Sequence, residues 1–306
     1  MNVREWALPV FTVLIQMSVG ALLALWILRA FASIKYGKEV MDRIVRVPLL
    51  IILSTTILGM IGGHFHLSRP YLSFLAASNF RTSWLSREIV FTVLFFLITA
   101  TLWFFQWYRE GHWGLKTVLG WLAIMVGFVT VYCMGHIYLL PAQVAWNTPE
   151  TIISYYGSML MLGVMALAEI LIMDLRFKKV RQNEVLTEWV IIVREAIKRL
   201  ALAAGVMLIP DIILNLFHLY LLRTGTALAQ TSYDLLIELY SPLLIARFLI
   251  LPIGVVSLII SVATMKRTGK TVQELFTPAY LACLLVIVGE ALGRFLFYAA
   301  HIRTGI

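Results

Sequence analysis

The sequence predicts an all-α integral membrane protein with eight transmembrane helices. Of its 306 residues, 61% are hydrophobic, and the mean hydropathy is +0.89. Only 13% are charged, whereas a soluble domain carries about a quarter. Eight apolar runs each reach the length of about 20 residues that spans the hydrocarbon of a bilayer. No long polar stretch separates them, so residues 1–306 are expected to form a single transmembrane domain.

Each apolar run is expected to be a helix, because a backbone in lipid must satisfy its own hydrogen bonds. The runs lie at residues 7–31, 47–67, 87–108, 114–139, 150–174, 196–222, 241–265 and 276–302. The first run ends in Ala30-Phe31-Ala32, which imitates a signal-peptide cleavage site. It is too long for the apolar region of a signal peptide and leads into basic residues, so it is expected to remain as a helix.

The basic residues predict the orientation of the helices. The net charge of +9 arises from 25 Lys and Arg residues, and 17 of them fall in the four connections on one side of the bundle. Only 6 fall on the other side, with the N- and C-terminal residues. Because Lys and Arg accumulate on the cytoplasmic side, both termini are expected to face the periplasm. The charge is therefore a topology signal, and a nucleic-acid partner is not expected.

Two similar helix ends suggest an internal repeat. The fourth run ends in Tyr132-Cys133-Met134-Gly135-His136, and the last run ends in Tyr298-Ala299-Ala300-His301. The second and sixth runs carry His66 and His218 near their ends on the same side. Two parallel four-helix halves would produce this pattern, and chance similarity would produce it too.

Five of the six histidines cluster at one end of the predicted bundle, on the side of the termini. They are His64, His66, His136, His218 and His301. Ionisable groups in membrane helices are costly and usually face a partner or a polar cavity. The alternative is that these histidines only occupy the lipid–water interface.

Glu88 is the candidate proton acceptor. It opens the third run, behind Ser86 as the expected N-cap residue. The helix dipole favours its charged form, whereas burial favours its neutral form, and a carboxyl group balanced in this way can take up and release a proton. In the alternative interpretation, Glu88 forms an ion pair with Arg81 or Arg87.

The last run carries a polar stripe along one helical face. Glu290, Arg294, Tyr298 and His301 are spaced i, i+4, i+8 and i+11. Glu290 and Arg294 have the spacing of an ion pair, so the stripe is either a structural ion pair or a proton path. The sixth run carries a similar series of polar residues, Asp211, Asn215 and His218, at i, i+4 and i+7.

Metal and haem sites are not favoured. Cys133 and Cys283 lie in apolar runs without CxxC spacing, so the chain has no cysteine set for an iron–sulfur cluster or zinc. Several histidines are expected at a similar depth, where a pair of them could ligate a haem iron, so haem b is the alternative. Four-helix cytochromes, however, place histidines deeper and often near both faces, so no haem is expected.

Several segments resemble the DmsC-type membrane anchor of the dimethyl sulfoxide reductase family of molybdoenzymes. One is the opening Glu5-Trp6-x-Leu8-x-x-Phe11-Thr12-Val13-x-x-Gln16-x-x-x-Gly20. The others are His66-Leu67-x-x-Pro70 with Ser86-x-Glu88-Ile89, Trp146-x-Thr148-Pro149, and Gly289-Glu290-x-x-Gly293-Arg294-x-x-Phe297-Tyr298-x-x-His301. The matches run in order from residue 5 to residue 301.

The resemblance implies a multi-pass anchor in the cytoplasmic (inner) membrane that oxidises menaquinol near the periplasmic face. Its electrons pass to an iron–sulfur subunit and then to a molybdopterin catalytic subunit. The family's quinol-linked histidine and glutamate match His66 and Glu88. The family also has an arginine six residues after that histidine, where Leu72 stands here, so Arg69 is the expected replacement.

These observations combine into one candidate site. A quinol loses two protons with its two electrons, and His and Glu are suited to accept them. His66 and Glu88 are expected to be catalytic, with Arg69, Arg81, His136 and Tyr138 completing the quinone-binding pocket. A secondary transporter is the alternative function, because Pro210-Asp211 interrupts the sixth run.

Overall fold

The computed structural model describes residues 3–66, 73–177, 184–268 and 272–302, with side chains for 6–65, 75–176, 188–264 and 274–302. Ten α-helices form the described part: α1 (Val3–Tyr36), α2 (Lys38–His66), α3 (Ser73–Ala76), α4 (Trp84–Tyr108), α5 (Trp113–His136), α6 (Pro149–Phe177), α7 (Glu184–Thr224), α8 (Ala227–Asp234), α9 (Ser241–Thr268) and α10 (Phe276–Ala299). A π-helical turn at Leu235–Leu239 precedes α9, and a 3-10 turn at Val272–Leu275 precedes α10.

Eight of these helices, all except α3 and α8, are long and apolar enough to cross a membrane. The prediction of eight transmembrane helices is therefore confirmed. The helices extend beyond the apolar runs because polar residues continue them past the expected boundaries. Lys35, for example, lies inside α1 although the first run ends at residue 31.

The eight long helices form two four-helix bundles, as the repeat hypothesis expected. In the first bundle α1 contacts α2, α2 contacts α4, α4 contacts α5, and α5 contacts α1. The second bundle repeats this cycle with α6, α7, α9 and α10. Corresponding helices run in the same direction, so the halves are parallel.

The first helices of the two bundles, α1 and α6, pack against each other at the centre of the molecule. A β-carbon added to Gly20 would collide with the backbone of Met159, and one added to Gly163 would collide with the backbone of Gly20. Small residues let membrane helices approach closely, so this glycine pair sets the contact between the bundles. The surrounding core is apolar and includes Ile15, Val19 and Leu162.

The two ends of the bundle differ in character. We call the end where α2, α5, α7 and α10 finish the histidine end, and the opposite end the basic end. At the basic end, Asp42 accepts from Lys116 Nζ at 2.9 Å and from Arg29 Nη2 at 3.2 Å. Both cations are 1% exposed, so this ion cluster ties α1, α2 and α5 together rather than lying in loops as the sequence suggested.

Candidate functional site

The start of α4 positions Glu88 at the histidine end. Ser83, rather than Ser86 as expected, is the N-cap residue, and its side chain accepts from the backbone N–H of Ser86 at 3.3 Å. The Ser86 hydroxyl instead donates to the Ala76 carbonyl of α3. The expected cap was therefore three residues too late, and Glu88 lies in the second turn of α4.

The Glu88 side chain is buried without a charge partner. It is 5% exposed, and among the described residues no side chain hydrogen-bonds to its carboxylate or pairs with it. Arg87 turns away, donating to the carbonyls of Phe80 at 3.0 Å and Arg81 at 2.7 Å. The alternative of an ion pair with Arg81 or Arg87 is therefore wrong. Burying a carboxylate without a partner is costly, which makes Glu88 a candidate for proton exchange.

Aromatic rings from α4 and α5 form a wall beside this region. The His136 ring lies 4.0 Å from the Trp84 ring and 5.0 Å from the Tyr132 ring, measured between centroids. Tyr132 and His136, spaced i and i+4, thus share a face of α5. His136 Nδ1 is buried and has no hydrogen-bond partner in the described part of the chain.

A tyrosine pair joins the loop after α5 to α10. The hydroxyl oxygens of Tyr138 and Tyr298 are 3.1 Å apart, and the Thr12 hydroxyl lies 3.5 Å from that of Tyr298. Burial raises the pKa of Tyr138 well above its usual value, with smaller contributions from Tyr298, Tyr155 and Glu88. Tyr138 therefore stays protonated through the neutral range and can donate a hydrogen bond close to Glu88.

The polar stripe of α10 is organised by a residue that the sequence analysis missed. Ser158 of α6 donates to Glu290 Oε2 at 2.7 Å and accepts from Arg294 Nη2 at 3.1 Å. Among the described side chains, no direct ion pair joins Glu290 to Arg294. Arg294 also donates to Gln16 Oε1 at 3.4 Å and lies over the Tyr155 ring at 3.6 Å. The expected pair is thus bridged by a hydroxyl and links α10 to α1 and α6.

The remaining predicted residues are dispersed. His301 lies beyond α10 and packs against Trp146, with ring centroids 5.1 Å apart. Arg81 is exposed before α4. His66 is the last residue of α2, but its side chain lies outside the described residues, as does all of Arg69. The structure therefore brings Glu88 near Tyr138, whereas Glu290 lies in the second bundle.

Metal ligands do not cluster in the described part of the chain, where no group of three or more His, Cys, Asp or Glu side chains is arranged to hold an ion. Cys133 and Cys283 are buried free thiols.

Comparison with known proteins identifies the family. The family described as DMSO reductase anchor subunit (DmsC) matches residues 1–300. The chain belongs to the DMSO reductase anchor subunit family. The resemblance found in the sequence motifs is therefore confirmed, and the eight long helices are those of a multi-pass membrane anchor.

Relatives of this DmsC-family protein include two of matching length. It is 24% identical to a chain of the anaerobic dimethyl sulfoxide reductase of Haemophilus influenzae, and the match covers 100% of this protein and 99% of the relative. It is 27% identical to YnfH, a chain of an anaerobic dimethyl sulfoxide reductase of Escherichia coli, with 99% and 97% covered. It is also 28% identical to a subunit of the sulfite dehydrogenase of Allochromatium vinosum, with 47% and 48% covered.

Proposed function

We propose that this anchor oxidises menaquinol in its first bundle and delivers the electrons to the water-soluble subunits of a respiratory molybdoenzyme. The observation that carries the proposal is Glu88, a carboxyl group that is 5% exposed and has no partner among the described residues. It lies at the histidine end, where α2 finishes at His66. A buried acid next to a histidine-bearing helix end suits a reaction that releases protons.

The reaction requires two proton acceptors. Oxidation of the quinol breaks both O–H bonds and releases two protons and two electrons, leaving the quinone. His66 accepts the hydrogen bond of one hydroxyl, and Glu88 takes a proton as the general base. The neutral Tyr138 hydroxyl donates to a quinone oxygen, while Arg69, Arg81 and His136 complete the pocket.

The electrons leave the anchor through its partners. Both cysteines are buried free thiols in apolar helices, and neither has the spacing of a cluster ligand. An iron–sulfur subunit docked at the histidine end takes the electrons and passes them to a molybdopterin catalytic subunit. In this arrangement the histidine end faces the periplasm, and the basic end faces the cytoplasm, across the inner membrane.

The names of the relatives support this division of labour. Two belong to dimethyl sulfoxide reductases and one belongs to a sulfite dehydrogenase. Similar membrane proteins thus accompany different terminal reactions, as expected when the anchor handles quinol alone.

Membranes that contain the complex with and without this anchor test the proposal. With the anchor, a water-soluble menaquinol analogue drives reduction of the terminal substrate. Without it, quinol-driven turnover is lost, but an artificial donor that reduces the soluble subunits directly still works. Quinol-driven turnover that persists without the anchor would contradict the proposal.

A further inference from the structure

The second bundle encloses a cavity that the proposed quinol site does not use. It lies between α6, α7, α9 and α10 and has a volume of about 320 Å³. Small-molecule sites in proteins have volumes of roughly 300–1,000 Å³ and combine apolar walls with a few converging polar groups. This cavity has that composition, because Leu214, Leu244 and Phe248 line it together with Asp211, Arg247 and Glu290.

Hydrogen bonds hold most of the charged groups around the cavity in two networks. Arg247 Nη2 lies 3.5 Å from Asp211 Oδ1, and the Arg247 guanidinium also donates to Asn215 Oδ1. Asn215 Nδ2 in turn donates to Asp211 Oδ1 at 3.2 Å. Glu290 and Arg294 share the Ser158 hydroxyl. Glu150 also lines the cavity, so three carboxylates and two guanidinium groups surround it. This charge repels an anion, so a neutral ligand fits the cavity better than an anionic one.

Two of these groups keep unused hydrogen-bonding capacity. Glu290 is 1% exposed, and its Oε1 has no partner in the described part of the chain. The same holds for Nε of Arg247. Gly293 leaves room for this guanidinium, because a β-carbon there would lie 2.5 Å from Arg247 Nε. The cavity therefore holds a donor side chain and an acceptor side chain in fixed positions.

The internal repeat relates this cavity to the proposed quinol site. The cavity lies among α6, α7, α9 and α10, which correspond to α1, α2, α4 and α5 of the first bundle. Its helix α7 carries His218, as α2 carries His66 at the same end. The Gly20–Gly163 contact lies between the two halves. A site in one half thus has a structural counterpart in the other.

We propose that the cavity of the second bundle is a separate binding site for a neutral, lipophilic ring with hydrogen-bonding oxygens, a molecule of the quinone class. Arg247 Nε donates to one ring oxygen, and in the quinol form the hydroxyl at the other oxygen donates to Glu290 Oε1. The apolar wall holds the ring. Among neutral, lipophilic rings, the choice of a quinone rests on the proposed function of the first bundle.

Photolabelling of the purified complex tests the inference. The probe is a 2-methyl-1,4-naphthoquinone that carries an azide and a short isoprenyl tail, and the labelled peptides are mapped by mass spectrometry. Two groups of labelled peptides are expected, one from residues 84–92 and 132–138 and the other from residues 150–160 and 207–219. Excess unlabelled menaquinone should suppress both.

A cavity-filling variant supplies the decisive comparison. Gly157 lines the cavity, and a β-carbon added there would meet nothing within 4 Å. Gly157→Phe should reduce labelling of the second bundle at least tenfold and leave the first bundle labelled. Gly114→Phe is the matched control, because Gly114 is equally open but lies in α5 near the basic end.

The outcomes separate this inference from the proposed function. Labelling of the first bundle alone would overturn the second site and leave the proposed function intact. Labelling of the second bundle alone would support the second site and count against quinol binding near Glu88. Labelling of the second bundle that resists competition or Gly157→Phe would also overturn the inference, as would a complete lack of labelling.

Discussion

Gly20 of α1 and Gly163 of α6 face each other where the two bundles meet, and neither position has room for a β-carbon. The colliding atoms belong to the backbone of the opposite helix. A larger residue therefore cannot be accommodated by a rotamer change and must push the bundles apart.

The first prediction follows from this contact. Gly20→Val should destabilise the anchor by about 1–3 kcal/mol, the usual cost of overpacking. The thermal midpoint of the purified complex would measure the loss. Gly157→Ala is the control and should not lower the midpoint, because its new methyl group meets open space. Equal midpoints for Gly20→Val and the control would show that the glycine contact does not set the spacing between the bundles.

The second prediction concerns the proposed quinol site. Glu88→Gln and His66→Ala should each lower quinol-driven turnover by roughly 10²-fold, because general-base catalysis contributes about 10²–10⁴-fold. Turnover with an artificial donor to the soluble subunits should persist. Glu238→Gln is a matched control, since Glu238 is an exposed carboxylate at the same end. Loss of both activities would instead mean that Glu88 or His66 holds the complex together.

The third prediction concerns the bridged pair of α10. Glu290→Gln leaves Arg294 buried without its nearest anion, at a cost of roughly 2 kcal/mol or more, so the amount of anchor in the membrane should fall. Glu290→Gln combined with Arg294→Gln should recover part of the lost anchor. Ser158→Ala should also lower the amount, because the bridge between the charges is lost. If the double variant assembles normally but is inactive with quinol, the stripe transfers protons and does not stabilise the anchor.

The fourth prediction concerns orientation. Asn79 and Glu110 are both exposed and lie at opposite ends of the bundle. A membrane-impermeant thiol reagent added from the periplasm should label Asn79→Cys and miss Glu110→Cys. Labelling of Glu110→Cys alone would invert the topology. The native Cys133 and Cys283 are buried and should contribute little background.

The fifth prediction is that the anchor binds no haem. The His136 ring already packs against Trp84 and Tyr132, which leaves little space for a porphyrin on that face. The purified complex should show no Soret band that depends on this anchor. A Soret band that disappears in His136→Ala or His301→Ala would contradict the prediction.

The amino-acid sequence alone determined the eight helices and the alternating directions in which they run through the bundle. Lipid leaves the backbone no other hydrogen-bond partners, so an apolar run of sufficient length becomes a helix whatever surrounds it. Helical spacing also placed Glu290 with Arg294 on one face, and both contact Ser158. The Tyr and His motifs at the ends of α5 and α10 anticipated the two bundles, because equivalent helices finish at the same end.

The partners of the charged side chains were decided only by the tertiary structure. Glu290 and Arg294 have the spacing of an ion pair, yet Ser158 from a helix 132 residues away in sequence lies between them. Glu88 has two arginines within seven residues and pairs with neither, because Arg87 bonds to the carbonyls of Phe80 and Arg81. Spacing fixes which residues share a helix face, but a buried charge is satisfied by whichever partner another helix brings within hydrogen-bonding distance, and that depends on how the helices pack.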